Sequence, residues 1–91
     1  MLIIISYDIE SDRTRTRLAH KLKDFGPRVQ LSVFEADVTG EELGRLYQKL
    51  AELKLGKDDS IRVYRICGEC CKHIRIWGTG EVTRDRDFYI A

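Results

Sequence analysis

The sequence lacks both the long apolar stretch of a membrane protein and the leader of a secreted one. No apolar run approaches the ~20 residues that span a bilayer. The stretch from Leu2 to Ile5 is too short for a signal peptide and has neither a basic leader nor a small-residue cleavage site, so it predicts a buried strand. We therefore expect a cytoplasmic protein with no membrane partner.

The sequence also has few cysteines and almost no net charge. The three cysteines, Cys67, Cys70 and Cys71, are an odd set that does not build a disulfide framework and that suits a reducing compartment. Sixteen Lys and Arg residues against 15 Asp and Glu residues leave a formal net charge of +1, which excludes a strong overall attraction to nucleic acid. Neither a phosphate-binding glycine loop nor a serine triad is evident. Any chemistry must come from local clusters.

The length of 91 residues allows a single domain, residues 1–91. A domain of this size buries only roughly 60–65% of the surface that its unfolded chain exposes, so its core is thin. Association with a second copy would add burial. We therefore expect a homodimer.

Apolar spacing predicts the first elements of secondary structure. Leu2–Tyr7 is apolar on both faces, as in a buried strand. A helix is predicted from about Asp12 to Asp24, ending before Gly26 and Pro27. A second helix begins at a capping box that Thr39 forms with Glu42.

The segment between the helices predicts a strand from Arg28 to Ala36, with Val29, Leu31 and Val33 on one face. The stretch from Arg28 to Val38 is long for one strand, and if it divides into two the order becomes that of an α+β, ferredoxin-like βαββαβ sandwich. No glycine or proline marks that division.

Three more strands are predicted after the second helix. They are Ser60–Ile66, His73–Trp77 and an apolar C-terminal strand, Phe88–Ile90, within residues 85–91. A strand so late in a small fold is expected to pack on the partner protomer.

Two helices cover only one face of such a sheet, so its other face needs a partner. That open face is predicted to be amphipathic and to contain aromatic side chains: Gln30, Ser32, Phe34, Arg62, Tyr64 and Ile66. It suits either a twofold interface between two copies or the stacking of exposed bases, and we favour the dimer.

Asp8 ends the first strand, where a carboxylate remains solvated. If two sheets pair about a twofold axis, two such residues face one cleft and can share one Mg²⁺ (magnesium) ion. The alternative is a turn or capping carboxylate.

The segment from Arg13 to Arg28 holds six basic residues and one acidic residue, a local charge of +5. Arg13, Arg17 and Lys21 are spaced four apart and form one row on the first helix. The row suits a bound polyanion, or is a solvated helix face. Arg15 lies nearer the apolar edge and is a candidate partner of Asp8.

The cysteines and His73 have the spacing of half a zinc site, but no second pair of ligands accompanies them. Reduced cysteines at the end of a strand are the favoured interpretation, and a redox-sensitive pair is the second.

Several of these features together resemble the CRISPR-associated protein 2 family over essentially the full chain. They are a Tyr-Asp strand end, arginines after it, a Gln-x-Ser-Val-Phe-Glu strand and two later cysteines: Tyr7, Asp8, Arg13, Arg15, Arg17, Gly26, Arg28, Gln30, Ser32, Val33, Phe34, Glu35, Cys67 and Cys70.

The resemblance implies a ferredoxin-like homodimer from a bacterial or archaeal host, with a role in CRISPR adaptation, the acquisition of spacers in antiviral defence. It implies magnesium-dependent endonuclease activity on RNA or DNA, with the aspartate that matches Asp8 as the catalytic and metal-binding residue. The alternative is a non-catalytic scaffold that bridges CRISPR integrase dimers and holds prespacer DNA. By position, Arg15, Arg17 and Arg28 would contact phosphate, and Tyr7 and Phe34 would frame the cleft.

Overall fold

The computed structural model describes residues 1–84, which form a four-stranded antiparallel sheet with two helices packed on one face. The strand order is β2-β3-β1-β4, as expected for the βαββαβ arrangement, so the predicted α+β fold is confirmed. The elements follow along the chain as β1 Leu2–Asp8, α1 Asp12–Leu22, β2 Arg28–Gln30, β3 Val33–Asp37, α2 Gly40–Ala51, β4 Ser60–Ile66 and α3 Gly68–Cys71.

The core lies between the sheet and the two long helices. Ile3, Ile5 and Tyr7 of β1 face the helices, and the largest fully buried helical side chains are Leu18, Leu22 and Leu46. This assembly needs one apolar stripe per helix, which the leucine spacing of the sequence provides. Among residues 1–84, no helix is long and apolar enough to cross a membrane.

Both long helices begin at the residues that the sequence predicts. The Ser11 hydroxyl accepts a hydrogen bond from the Thr14 amide at 3.2 Å. The Thr39–Glu42 capping box is complete, with bonds of 3.0 and 3.1 Å. Helix α1 ends at Leu22, slightly before the predicted Asp24, because the following turn directs amides back to the Leu22 carbonyl.

The long segment between the helices divides into two strands, but the predicted apolar face is wrong. A turn at Leu31 and Ser32 separates β2 from β3 and interrupts the alternation of side chains. As a result Phe34 is fully buried against the helices, whereas Leu31 is 82% exposed. The alternation that the sequence suggests holds only for a continuous strand.

The predicted strand at His73–Trp77 is also wrong. The chain leaves β4 in a short helical turn, α3, and residues 73–84 contain no strand. The Cys67 sulfur accepts a hydrogen bond from the Cys70 amide and so favours a helical turn over an extended chain. The later chain returns to the open face, where the Thr83 hydroxyl donates to Glu35 Oε1 at 2.8 Å. The predicted C-terminal strand, residues 85–91, lies outside the described residues.

Candidate nucleic-acid interface

The face of the sheet that the helices leave uncovered has a mixed apolar and polar surface. Ile4 lies between Glu35 of β3 and Tyr64 of β4 in register, and the next residue on this face is Ser6. Opposed residues of an antiparallel pair share a face, so Arg62, Tyr64 and Ile66 lie on the open face as predicted. The prediction for Phe34 is wrong, since its ring belongs to the opposite face.

Asp8 occupies the rim of this open face. It is the last residue of β1, it pairs with Ser60 of β4, and its side chain is exposed. The alternation along β1 directs Asp8 away from the helices, because Ile3, Ile5 and Tyr7 point toward them. Within residues 1–84 its carboxylate has no hydrogen-bond or ion-pair partner. Its oxygens therefore keep their full capacity to accept a cation or a donor.

Arg15 is not the partner of Asp8. Its Nη1 donates to the carbonyl oxygens of Ile9 at 2.6 Å and Glu10 at 2.9 Å, and its Nη2 pairs with the Asp12 carboxylate. These contacts hold together the loop between β1 and α1, directly after Asp8. Arg15 thus supports the backbone of the site, and much of its donor capacity is already used.

The predicted basic row lies along an open groove of about 1080 Å³ between α1 and the chain that follows α2. Arg13, Arg17 and Lys21 line its α1 side. Lys21 Nζ lies 3.3 Å from Glu52 Oε2, whereas Arg13 and Arg17 form no ion pair with any residue in the described part of the chain. Two guanidinium groups of the groove therefore have no counterion within residues 1–84.

Two other basic side chains line this groove, and the sequence alone did not predict that they would. His20 lies on α1 beside the row, and Lys54 lines the groove from the chain after α2. Lys54 is more than 30 residues from Arg13 in sequence, and only the packing of α1 beside α2 brings the two together. No local pattern indicates such a juxtaposition.

Three other candidate residues line a second, smaller cavity of about 400 Å³: Tyr7, Arg15 and Arg28. The Arg28 guanidinium carbon lies 5.4 Å from the Phe34 ring centroid, a cation–π distance. The Tyr7 hydroxyl donates to the Leu31 carbonyl at 3.4 Å. Since Phe34 is fully buried, it contributes to this cavity only by supporting Arg28.

The candidate residues therefore occupy three separate places in one chain. Asp8 is at the rim of the open sheet face, the basic row is on the helical layer, and Arg28 is in the small cavity. Residues 1–84 contain no group of three or more His, Cys, Asp or Glu side chains arranged to hold a metal ion. The segment from Cys67 to Cys71 forms no such group either, and its three thiols are free. A metal site at Asp8 thus requires ligands beyond residues 1–84 of a single chain.

Comparison with known proteins gives consistent matches. The family model of CRISPR associated protein Cas2 matches residues 1–74. A CRISPR-associated endoribonuclease Cas2 of Chloroflexus aurantiacus is 40% identical over 92 residues, covering 99% of this chain and 99% of the relative. Another, from Synechocystis sp., is 35% identical over 83 residues, covering 91% of this chain and 90% of the relative.

Solved structures share the fold. The crystal structure of Streptococcus pyogenes Cas2 aligns with a TM-score of 0.68 at 34% identity, covering 86% of this chain and 100% of that chain. A chain of a partial Cas6-RT-Cas1–Cas2 complex aligns with a TM-score of 0.61 at 28% identity, covering 82% of this chain and 88% of that chain.

Proposed function

Since the chain belongs to the CRISPR associated protein Cas2 family, we propose that it is a homodimeric subunit of a CRISPR adaptation complex. In this proposal it holds nucleic acid along the basic face of α1. The assembly is suggested by the similar chain in a complex that also contains Cas1. Cas1 is therefore the expected protein partner.

The observation that carries the proposal is the pair of guanidinium groups in the large groove. Arg13 and Arg17 are exposed, lie one helical turn apart and have no ion pair within residues 1–84. Lys54 adds positive charge from the other side of the groove. Guanidinium groups that are free to pair suit phosphate oxygens, and backbone contacts of this kind position a nucleic acid without selecting its sequence.

The open sheet face supports the homodimer. Ile4 and Val33 lie there beside Tyr64, which is 46% exposed, and the helices cannot cover them. A second copy that packs on this face would bury these side chains and bring two Asp8 residues to one interface. It would also present the basic row twice, which compensates for the near-neutral total charge.

The salt dependence of DNA binding tests the groove. Each phosphate contact contributes about 0.9 to the slope of log K against log salt concentration. Replacing Arg13 and Arg17 together by Ala should make the slope less steep by about 1.8 for each protomer that contacts the duplex. Fluorescence anisotropy with a labelled duplex over a range of salt concentrations measures it.

Arg45→Ala is the matched control. Arg45 is also an exposed helical arginine, but it lies outside the groove and pairs with Glu41 at 3.5 Å. Its replacement should leave the slope unchanged. An unchanged slope in the Arg13 and Arg17 variant, with a normal dimer in sedimentation, would exclude the groove from the binding surface.

Metal-dependent cleavage of RNA or DNA is the second candidate function, and the exposed carboxylate of Asp8, which has no partner within residues 1–84, favours it. Mg²⁺ is typically bound by one or two carboxylates together with water and substrate phosphate. Asp8 from each protomer fits that donor set. When bound there, the ion would supply charge neutralisation at the scissile phosphate and a more acidic water. In that arrangement Asp8 holds the ion, and Arg15 fixes the loop that follows it.

A cleavage assay with and without magnesium tests this activity. Asp8→Asn should abolish cleavage of single-stranded RNA while leaving the dimer and DNA binding unchanged, because the amide keeps the shape but loses the charge. Asp58→Asn, which removes an exposed carboxylate from a turn, should cleave like the wild type. Equal cleavage by the Asp8 variant would refute a role of Asp8, and absence of cleavage by the native protein would leave the non-catalytic scaffold as the function.

A further inference from the structure

Two exposed thiols lie together where the chain leaves β4. Cys67 and Cys70 are both free and exposed, and only Gly68 and Glu69 separate them. The Cys67 sulfur accepts a hydrogen bond from the backbone N–H of Cys70 at 3.3 Å. The helical turn thus holds the Cys67 sulfur close to the backbone of the second cysteine.

The two thiols are chemically inequivalent. The hydrogen bond from the Cys70 backbone N–H, together with one from the Cys70 thiol, lowers the pKa of Cys67 below its ordinary value. The same thiol contact and the adjacent negative charge raise the pKa of Cys70. Cys67 is therefore the thiol that more readily forms the thiolate, which is the nucleophilic form, and Cys70 loses its proton less readily.

Cys71 is excluded from this pair although it is next in sequence. Its thiol is half-buried and points back toward the Ile66 carbonyl oxygen, at 3.8 Å. The site therefore consists of two cysteines, and the third serves as an internal reference for reactivity.

We propose that Cys67 and Cys70 form a redox-active dithiol that is oxidised to an intramolecular disulfide by low-molecular-weight disulfides. This site is separate from the basic groove and from Asp8, and uses none of their residues. The Cys67 sulfur already lies 3.3 Å from the Cys70 backbone nitrogen, so the helical turn holds the two cysteines in the proximity that a disulfide needs.

The reaction proceeds in two exchanges. The Cys67 thiolate attacks one sulfur of the small disulfide, forming a mixed disulfide and releasing one thiolate, which takes a proton from solvent. Cys70 then loses its proton and attacks the Cys67 sulfur, which expels the second small thiolate, and this also becomes protonated. The protein has lost two electrons and two protons, and the small disulfide has become two thiols.

Incubation of the reduced protein with oxidised glutathione tests the proposal. The native protein should lose two of its three free thiols, measured by reaction with a chromogenic thiol reagent. Proteolysis after glutamate separates Cys67 from Cys70 at Glu69, so the two fragments should remain linked until a reductant is added. Cys70 and Cys71 lie on the same fragment, so a linkage that persists in Cys70→Ser and is lost in Cys71→Ser would overturn the assignment.

Single substitutions separate the two roles. Cys70→Ser should retain one glutathione on Cys67, because no second thiol is positioned to displace it. Cys67→Ser should slow the first exchange about tenfold or more, because the favoured thiolate is lost. Cys71→Ser should behave as the native protein does. Stable glutathione on Cys67 of the native protein, or equal rates for Cys67 and Cys71, would refute a paired dithiol.

Discussion

Gly26 allows the chain after α1 to pass close to the central strand β3. A Cβ atom added at this position would collide with the Glu35 carbonyl oxygen and lie 2.8 Å from the Ala36 Cα. Both are backbone atoms of a strand paired on each side, so neither moves aside by rotating a side chain. Gly26→Ala should therefore displace the segment that carries Arg28 over the Phe34 ring.

The size of the effect follows from this crowding. Forcing one extra carbon into a packed site costs about 1–3 kcal/mol, and the upper half of that range applies because backbone atoms are involved. The lower entropy of the unfolded Ala variant offsets about 0.4–1 kcal/mol of it. A net loss of about 2 kcal/mol lowers the Tm of a domain of this size by roughly 8–16 °C.

Thermal unfolding followed by circular dichroism, at one protein concentration for all variants, measures this loss. Gly44→Ala is the matched control, because Gly44 lies within α2 and an added Cβ there meets nothing within 4 Å. It should raise stability by about 1 kcal/mol through helix propensity. A Gly26→Ala variant as stable as the native protein would refute the close approach of this segment to β3.

Two further predictions concern the loop beside β4 and the end of the chain. Hydrogen bonds from the Glu10 and Gly56 amides lower the pKa of Asp59 in the folded protein. The ionised Asp59 therefore stabilises the fold at pH values above its unfolded pKa of 3.8, and this stabilisation is lost as the pH falls through its lower pKa in the folded state. Acid titration of unfolding should show this loss, and the same decline in Asp59→Asn would contradict it. Deletion of residues 88–91 should shift the dimer toward monomer in sedimentation velocity, and a fully retained dimer would disprove the predicted pairing of that segment.

Several parts of the site were predictable because they depend on short-range signals. The Tyr-Asp end of β1 follows from an apolar run that stops at a charged residue. The row of Arg13, Arg17 and Lys21 follows from the helical repeat, and the structure places all three along one groove. The face of Arg62 and Tyr64 was also predicted, because β4 is a regular strand without interruption.

Other parts depend on contacts that sequence spacing does not encode. The contribution of Lys54 to the groove depends on the packing of α1 beside the end of α2. The Arg15 side chain donates to backbone carbonyls of its own loop, whereas the sequence predicted a carboxylate, Asp8, as its partner. The helical turn Gly68–Cys71 is capped by the Cys67 sulfur and held by backbone hydrogen bonds, and the predicted strand at His73–Trp77 does not form after it.

The sequence by itself determined the two capped helices, the buried first strand and the local concentration of positive charge, because each depends on residues within one or two turns of one another. Only the tertiary structure decided that Asp8 and the basic row lie on different layers. The pleat of β1 sends Asp8 to the open face, while the packing of α1 on the opposite face directs Arg13 and Arg17 to the groove. Asp8 and Arg13, five positions apart in sequence, therefore lie in different layers of the fold.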